Sequence, residues 1–143
     1  TAEKNYQAAQ LFLREAIKED PSNPTLWYQR SKVHYLAEEL KEAKMTVTEA
    51  VRLAPDDLDV CFHYLKMVRL VMPPERLLQA LEKAKERFPS SHEIVWQLAL
   101  HYHHVESNNN AASILYRSFL VLAPLDDPRR KTAQRGLDAI SQP

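Results

Sequence analysis

The residues with the clearest capacity for chemistry are the histidines His101, His103 and His104. On a helix, side chains three or four positions apart share a face, so His101 and His104 could chelate one divalent ion together. No His-Glu-x-x-His pattern, second histidine cluster or paired carboxylate accompanies them. The expectation is therefore histidines on solvated helix faces and no metal. The single cysteine, Cys61, has no neighbour that would lower its pKa, and reads as a small core residue. There is no G-x-S-x-G elbow and no recognisable Cys/His pairing. Glu38, Glu39, Glu42 and Glu49 recur at helical spacing beside lysines, the pattern of a solvated face. No catalytic, cofactor-binding or metal-ligating set emerges, and the chain reads as no enzyme.

Composition excludes more. One glycine stands against nine prolines. Dinucleotide-binding loops, P-loops and β-sandwiches need several glycines for positive φ or for close backbone approach. Nineteen basic and nineteen acidic residues cancel, which argues against a nucleic-acid partner held by phosphate neutralisation. The longest apolar run, around Phe119 to Ala123, falls far short of the roughly 20 residues of a membrane span. One cysteine permits no internal disulfide; this leans toward cytoplasm over periplasm without separating them.

The elements that must position the remaining polar residues follow from the prolines. Pro21, Pro55 and Pro89 are each 34 residues apart and Pro124 follows after 35. Each lies just past an apolar-periodic stretch, where a residue without an N–H stops a helix. Ala16, Ala50 and Ala84 stand five positions before the first three, with further small residues at Ala9, Ala43 and Ala112. The spacing gives three units, 24–57, 58–91 and 92–125, each a pair of antiparallel helices, the last unit one residue longer. That residue is placed in the turn Ser107–Asn110, whose asparagines tolerate left-handed geometry. Helix starts are expected at Asn23-Pro24, at Asp57, and at Ser90 with Glu93 as a capping box. Met72-Pro73-Pro74 ends one helix and begins the next. Asp127-Pro128 opens a capping helix over 127–141, with Ala133, Leu137 and Ile140 as its apolar stripe. Residues 1–21 read as the second helix of a partial repeat, so that the array is expected to extend upstream.

Against the pattern W-x2-L-G-x2-Y, A-x3-F, P over 34 residues, the first unit offers Trp27, Ala43, Val47, Ala50 and Pro55. The last offers Leu98, Ala99, Tyr102, Ala112, Tyr116 and Pro124, and the middle unit Tyr64, Leu81, Ala84 and Pro89. On these residues the chain, over nearly its whole length as a single domain 1–143, resembles the tetratricopeptide repeat (TPR) family. It departs where the family has glycine, placing Ser31, Leu65 and Ala99 there. The resemblance implies an all-α, right-handed helical-repeat solenoid in which the first helix of each unit lines a concave groove. The groove residues would be Tyr28, Gln29, Lys32 and Tyr35, then Phe62, His63, Lys66 and Arg69, then Trp96, Gln97, Leu100 and His103. Tyr28, Phe62 and Trp96 would form an aromatic ladder edged with positive charge, while Trp27, Cys61 and Val95 would be the more buried sites. Family members that clamp the acidic tails of Hsp70 or Hsp90 carry lysine and asparagine where this chain has Tyr28 and Lys32, asparagine where it has His63, and lysine and arginine where it has Glu93 and Gln97. Only Lys32 is basic, and it stands where the clamp has asparagine, so this is not a chaperone clamp. The implied function is a non-catalytic adaptor or scaffold. Its partner would be a protein or peptide with apolar anchors and acidic residues. A segment serving only self-assembly of a larger array is the alternative.

Overall fold

In a computed structural model, which describes residues 1–142, the chain is entirely helical. Pro143, the last residue of the expected domain, lies outside the described residues. Eight helices and no strand occur among those described: α1 (Ala2–Glu19), α2 (Pro24–Leu36), α3 (Leu40–Leu53), α4 (Leu58–Val71), α5 (Pro74–Arg87), α6 (His92–His104), α7 (Asn109–Leu122) and α8 (Arg129–Ser141). They fall into two compact units, Thr1–Leu77 and a second that runs on from Leu78.

In the first unit α2 packs on α1 and on α3, and α3 packs on α4. Capping side chains fix where the helices start. Asn23 accepts the Thr25 N–H at 3.0 Å ahead of Pro24, and Asp57 accepts the Val60 N–H at 3.1 Å. Three residues, Ala37, Glu38 and Glu39, join α2 to α3. Glu38 takes a left-handed φ of 63°, and the Glu39 N–H reaches back to the His34 carbonyl at 2.8 Å. Ala43, Val47 and Ala50 of α3 are fully buried and form a core with Val60 and Met67, against which Trp27, Tyr28, Tyr35 and Tyr64 pack. Small side chains on α3 bring α2 close, and the buried Ser31 hydroxyl, in the slot where the family pattern has glycine, reaches the Ala43 carbonyl at 2.6 Å.

The second unit is built by α6 packing on α7 and α7 on α8. Ile94, Leu98, Ala99, Ala112, Tyr116 and Phe119 are buried on α6 and α7, as are Ala133 and Leu137 on α8, while Ile140 is half-buried. Two local expectations are corrected here. The α6 cap is Ser91, which accepts the Ile94 N–H at 3.4 Å. The helix starts one residue later than read, Ser90 stays exposed in the turn, and Glu93 turns away from the cap to pair with Arg129. In the four-residue turn Val105–Asn108 the left-handed residue is Ser107 (φ 52°) rather than an asparagine. Asn108 is occupied as the α7 cap, accepting the Ala111 N–H at 3.0 Å, so the positive φ falls one position earlier.

Helix α8 is held by two arginines. Arg129 forks onto Asp127 through Nε and Nη2, at 3.1 and 2.9 Å, and donates from Nη1 to Glu93 of α6. These hydrogen bonds hold the Asp127 carboxyl down to about 2, with the Arg129 side chain the main cause. Arg130 Nη1 donates to the Leu120 and Ala123 carbonyls at 2.6 and 3.2 Å, where the α7 dipole favours a cation. The only glycine, Gly136, lies inside α8. A Cβ there would stand 2.8 Å from Tyr116 Cε2 and 2.9 Å from Cζ. The Tyr116 ring is buried and its hydroxyl is tied to His103, so it has little room to give. Gly136→Ala gains about 1 kcal/mol of helix propensity but forces overpacking that costs about 1–3 kcal/mol. The expected net effect is a loss, read as a fall of roughly 3 °C or more in melting temperature. An unchanged or raised melting temperature would show that α7 and α8 are not in this close contact.

Candidate functional site

Five of the twelve expected groove residues meet on the α2–α4 face of the first unit. At the base is a relay. The Ser31 hydroxyl gives its one proton to the Ala43 carbonyl, and His63 Nε2 lies 2.8 Å from the same oxygen. The His63 ring stands between two tyrosines from α2, edge-on to Tyr28 (centroids 5.6 Å apart, planes at 78°) and to Tyr35 (6.3 Å, 85°). Above each tyrosine lies an ammonium group, Lys32 Nζ at 4.6 Å from the Tyr28 centroid and Lys66 Nζ at 4.1 Å from that of Tyr35. The lysines are exposed, so each cation–π contact is worth roughly 0.5–1 kcal/mol; its larger effect is to park a flexible charge in one place. Burial, then the charges of Lys66 and Lys32, push His63 down to about 4, so the imidazole is neutral at physiological pH. The result is a half-buried aromatic floor carrying two positive charges, bordered at Tyr28 by Asp59 and Asp57, which after burial raise the tyrosine's pKa; the lysine side of the floor suits an anion with an apolar flank.

Of the other groove residues in this unit, Gln29 is exposed, Phe62 half-buried and Arg69 exposed. Those in the second unit behave differently. Trp96, expected as an open ladder residue, is a core residue at 9% exposure. Its ring packs on Phe119 at 4.9 Å and Tyr116 at 6.1 Å, with the Arg129 guanidinium 5.9 Å from its centroid. Conversely Trp27 and Cys61, expected as the more buried sites, are only half-buried, and Trp27 donates Nε1–H to the Pro21 carbonyl at 2.8 Å; Val95 is buried as expected. His103 is half-buried, 2.7 Å from the Tyr116 hydroxyl through Nδ1 and stacked on His104 at 4.3 Å. Burial, then His104, lowers its pKa. Gln97 and Leu100 are half-buried.

Residues 1–60 match the family model for the tetratricopeptide repeat. That match covers less than half of the chain's 143 residues. The fold of the chain is shared with several solved structures, two of them described as TPR. YrrB, described as a TPR protein with an unusual peptide-binding site, is 20% identical at a TM-score of 0.71, over 96% of this chain and 68% of that one. MamA is 14% identical at a TM-score of 0.73, over 96% and 77%. The TPR domain of Arabidopsis OM64 is 15% identical at 0.61, over 82% and 93%. At these identities the likeness is one of fold. No curated protein matches the chain by sequence.

Within this helical frame the histidines need correcting. His34 and His101 are buried, not solvated, each beside the carboxylate five residues on: His34 Nδ1 lies 3.5 Å from Glu39, and His101 Nε2 3.5 Å from Glu106. His104 stacks on His103 instead of joining His101. Among the described residues no group of three or more His, Cys, Asp or Glu is arranged to hold a metal. Burial pushes the Cys61 thiol up to about 11, which leaves it unreactive. The residue that sequence reading passed over is Ser31, noted only as a substitute for glycine; its signal was a hydroxyl at a position buried between paired helices.

The lowered pKa of His63 makes a stability prediction. The unfolded chain takes up a proton near the ordinary histidine value of about 6.5, whereas folded His63 does so only near 4. Its contribution is therefore complete above about pH 6.5 and is lost as pH falls toward 4. Urea midpoints between pH 7 and 4.5 should fall more steeply for the natural chain than for His63→Phe. Equal slopes would place His63 in solvent.

Proposed function

We propose that the chain is a non-catalytic protein-interaction module, organised as the three units 24–57, 58–91 and 92–125, that takes an acidic peptide on the α2–α4 face. The observation that carries this reading is the pair of ammonium groups held over Tyr28 and Tyr35 on either side of a neutral His63. Tyrosine faces supply apolar contact at little entropic cost, and fixed charges supply orientation and faster encounter. Gln29, Phe62 and Arg69 are the further candidates on α2 and α4, and Gln97, Leu100 and His103 are separate candidates on α6 of the second unit. A protein of this fold, YrrB, is described as having a peptide-binding site, which supports the class of partner.

The test is titration with a Glu-rich peptide. Lys32→Glu combined with Lys66→Glu should weaken binding by roughly tenfold or more and remove most of its salt dependence. Both ammonium groups are exposed, so melting should change little. Unaltered affinity in the folded double variant would remove the site from this face.

Self-assembly is the second reading, favoured by one observation: Ile114 and Val121, two turns apart on α7, are exposed, the latter at 83%. On that reading light scattering finds a dimer that Ile114→Lys with Val121→Lys dissociates. A monomer at high concentration removes it.

A further inference from the structure

Ser31 has a single hydroxyl proton, and the Ala43 carbonyl, which can only accept, lies 2.6 Å away. That proton is therefore committed, and the Ser31 oxygen meets His63 Nε2 as an acceptor. His63 must carry its hydrogen on Nε2 and leave Nδ1 unprotonated. The chain of hydrogen bonds thus runs from α4 through α2 to the α3 backbone. It fixes the ring that Tyr28 and Tyr35 both abut, and through them the resting places of Lys32 and Lys66. Tyr28 and Tyr35 are seven residues apart on α2, about 10 Å along its axis at 1.5 Å per residue. The two charges are consequently held apart by a neutral ring, with no positive charge between them.

We propose that His63 is the positioning residue of this face: its hydrogen bond to Ser31 sets the spacing of the two lysine–tyrosine pairs, and so selects peptides that present two separated carboxylates over peptides that present one. This deepens the acidic-peptide reading and rests on it. An imidazolium at the same place would stand between two ammonium groups, and the burial that lowers its pKa agrees with the neutral form.

The experiment uses the whole chain and two labelled, end-blocked peptides of equal length, one with two glutamates four residues apart and one with a single glutamate. The natural chain should prefer the two-carboxylate peptide by roughly tenfold, a difference of about 1.4 kcal/mol. Ser31→Ala removes the acceptor, and His63→Phe keeps a ring while removing the donor. Each should lose most of the preference, read as the ratio of the two affinities falling from roughly tenfold toward one. Long-range 1H–15N spectra at neutral pH should show His63 protonated on Nε2 alone, and a tautomer mixture in Ser31→Ala. Loss of overall stability would reduce both affinities together, so the ratio separates positioning from support. If Ser31→Ala does not fold, His63→Phe carries the comparison. A natural chain that binds both peptides equally, or folded variants that keep the preference, overturn the inference and leave the acidic-peptide reading standing. A natural chain that binds neither overturns both.

Discussion

Two helices can come together only as closely as the smallest side chains between them permit, and this limit governs both units. In the first, Ala43 and Ala50 of α3 have no exposed surface and face α2, where Ser31 is equally buried. In the second, Ala99 and Ala112 do the same between α6 and α7, and Gly136 between α7 and α8. Close approach buries more apolar area per residue, at roughly 25 cal/mol per Å². It also decides what a polar atom in the seam can reach. Ser31 is near enough to a helical carbonyl to be satisfied by it, which removes the cost of about 1–3 kcal/mol that a buried unpaired hydroxyl would carry. Once that oxygen is in place, its lone pairs are available to α4.

The two units use electrostatics in opposite ways. On the α2–α4 face charge is kept away from the interior: His63 is neutral and the lysines lie outside over tyrosine rings. On α8 charge is the fastener. Arg129 satisfies two carboxylates, one of its own turn and one of α6, and covers Trp96 and Phe119 with the same planar group. A lysine could not do both, because it lacks the fork and the flat face. The first arrangement leaves charge available to a partner, and the second consumes it within the chain.

The helices, their ends and most caps were legible in the sequence because proline spacing and capping residues act locally. The ladder was only half legible. A period places Tyr28 and Trp96 at one position of the repeat, but burial is decided by what stands opposite. Where the first repeat has Val47 and Ala50, the register of the last puts Tyr116 and Phe119, and those rings cover Trp96. Tyr28 meets no such neighbour and stays half-open. The buried histidines were hidden for a similar reason: their surroundings include Glu39 and Glu106, brought back by turns whose left-handed residue no periodicity announces.

Those turns and Gly136 have a common consequence. Local preference would put glycine where φ is positive, since a side chain there costs about 1–2 kcal/mol, and keep it out of helices, where it costs about 1 kcal/mol relative to alanine. This chain does the reverse, with Glu38 and Ser107 in left-handed geometry and its sole glycine in mid-helix. Design by propensity tables would exchange them and, at α8, remove the gap that admits the Tyr116 ring. The allocation of glycine here is governed by space between elements rather than by the conformational taste of any one of them.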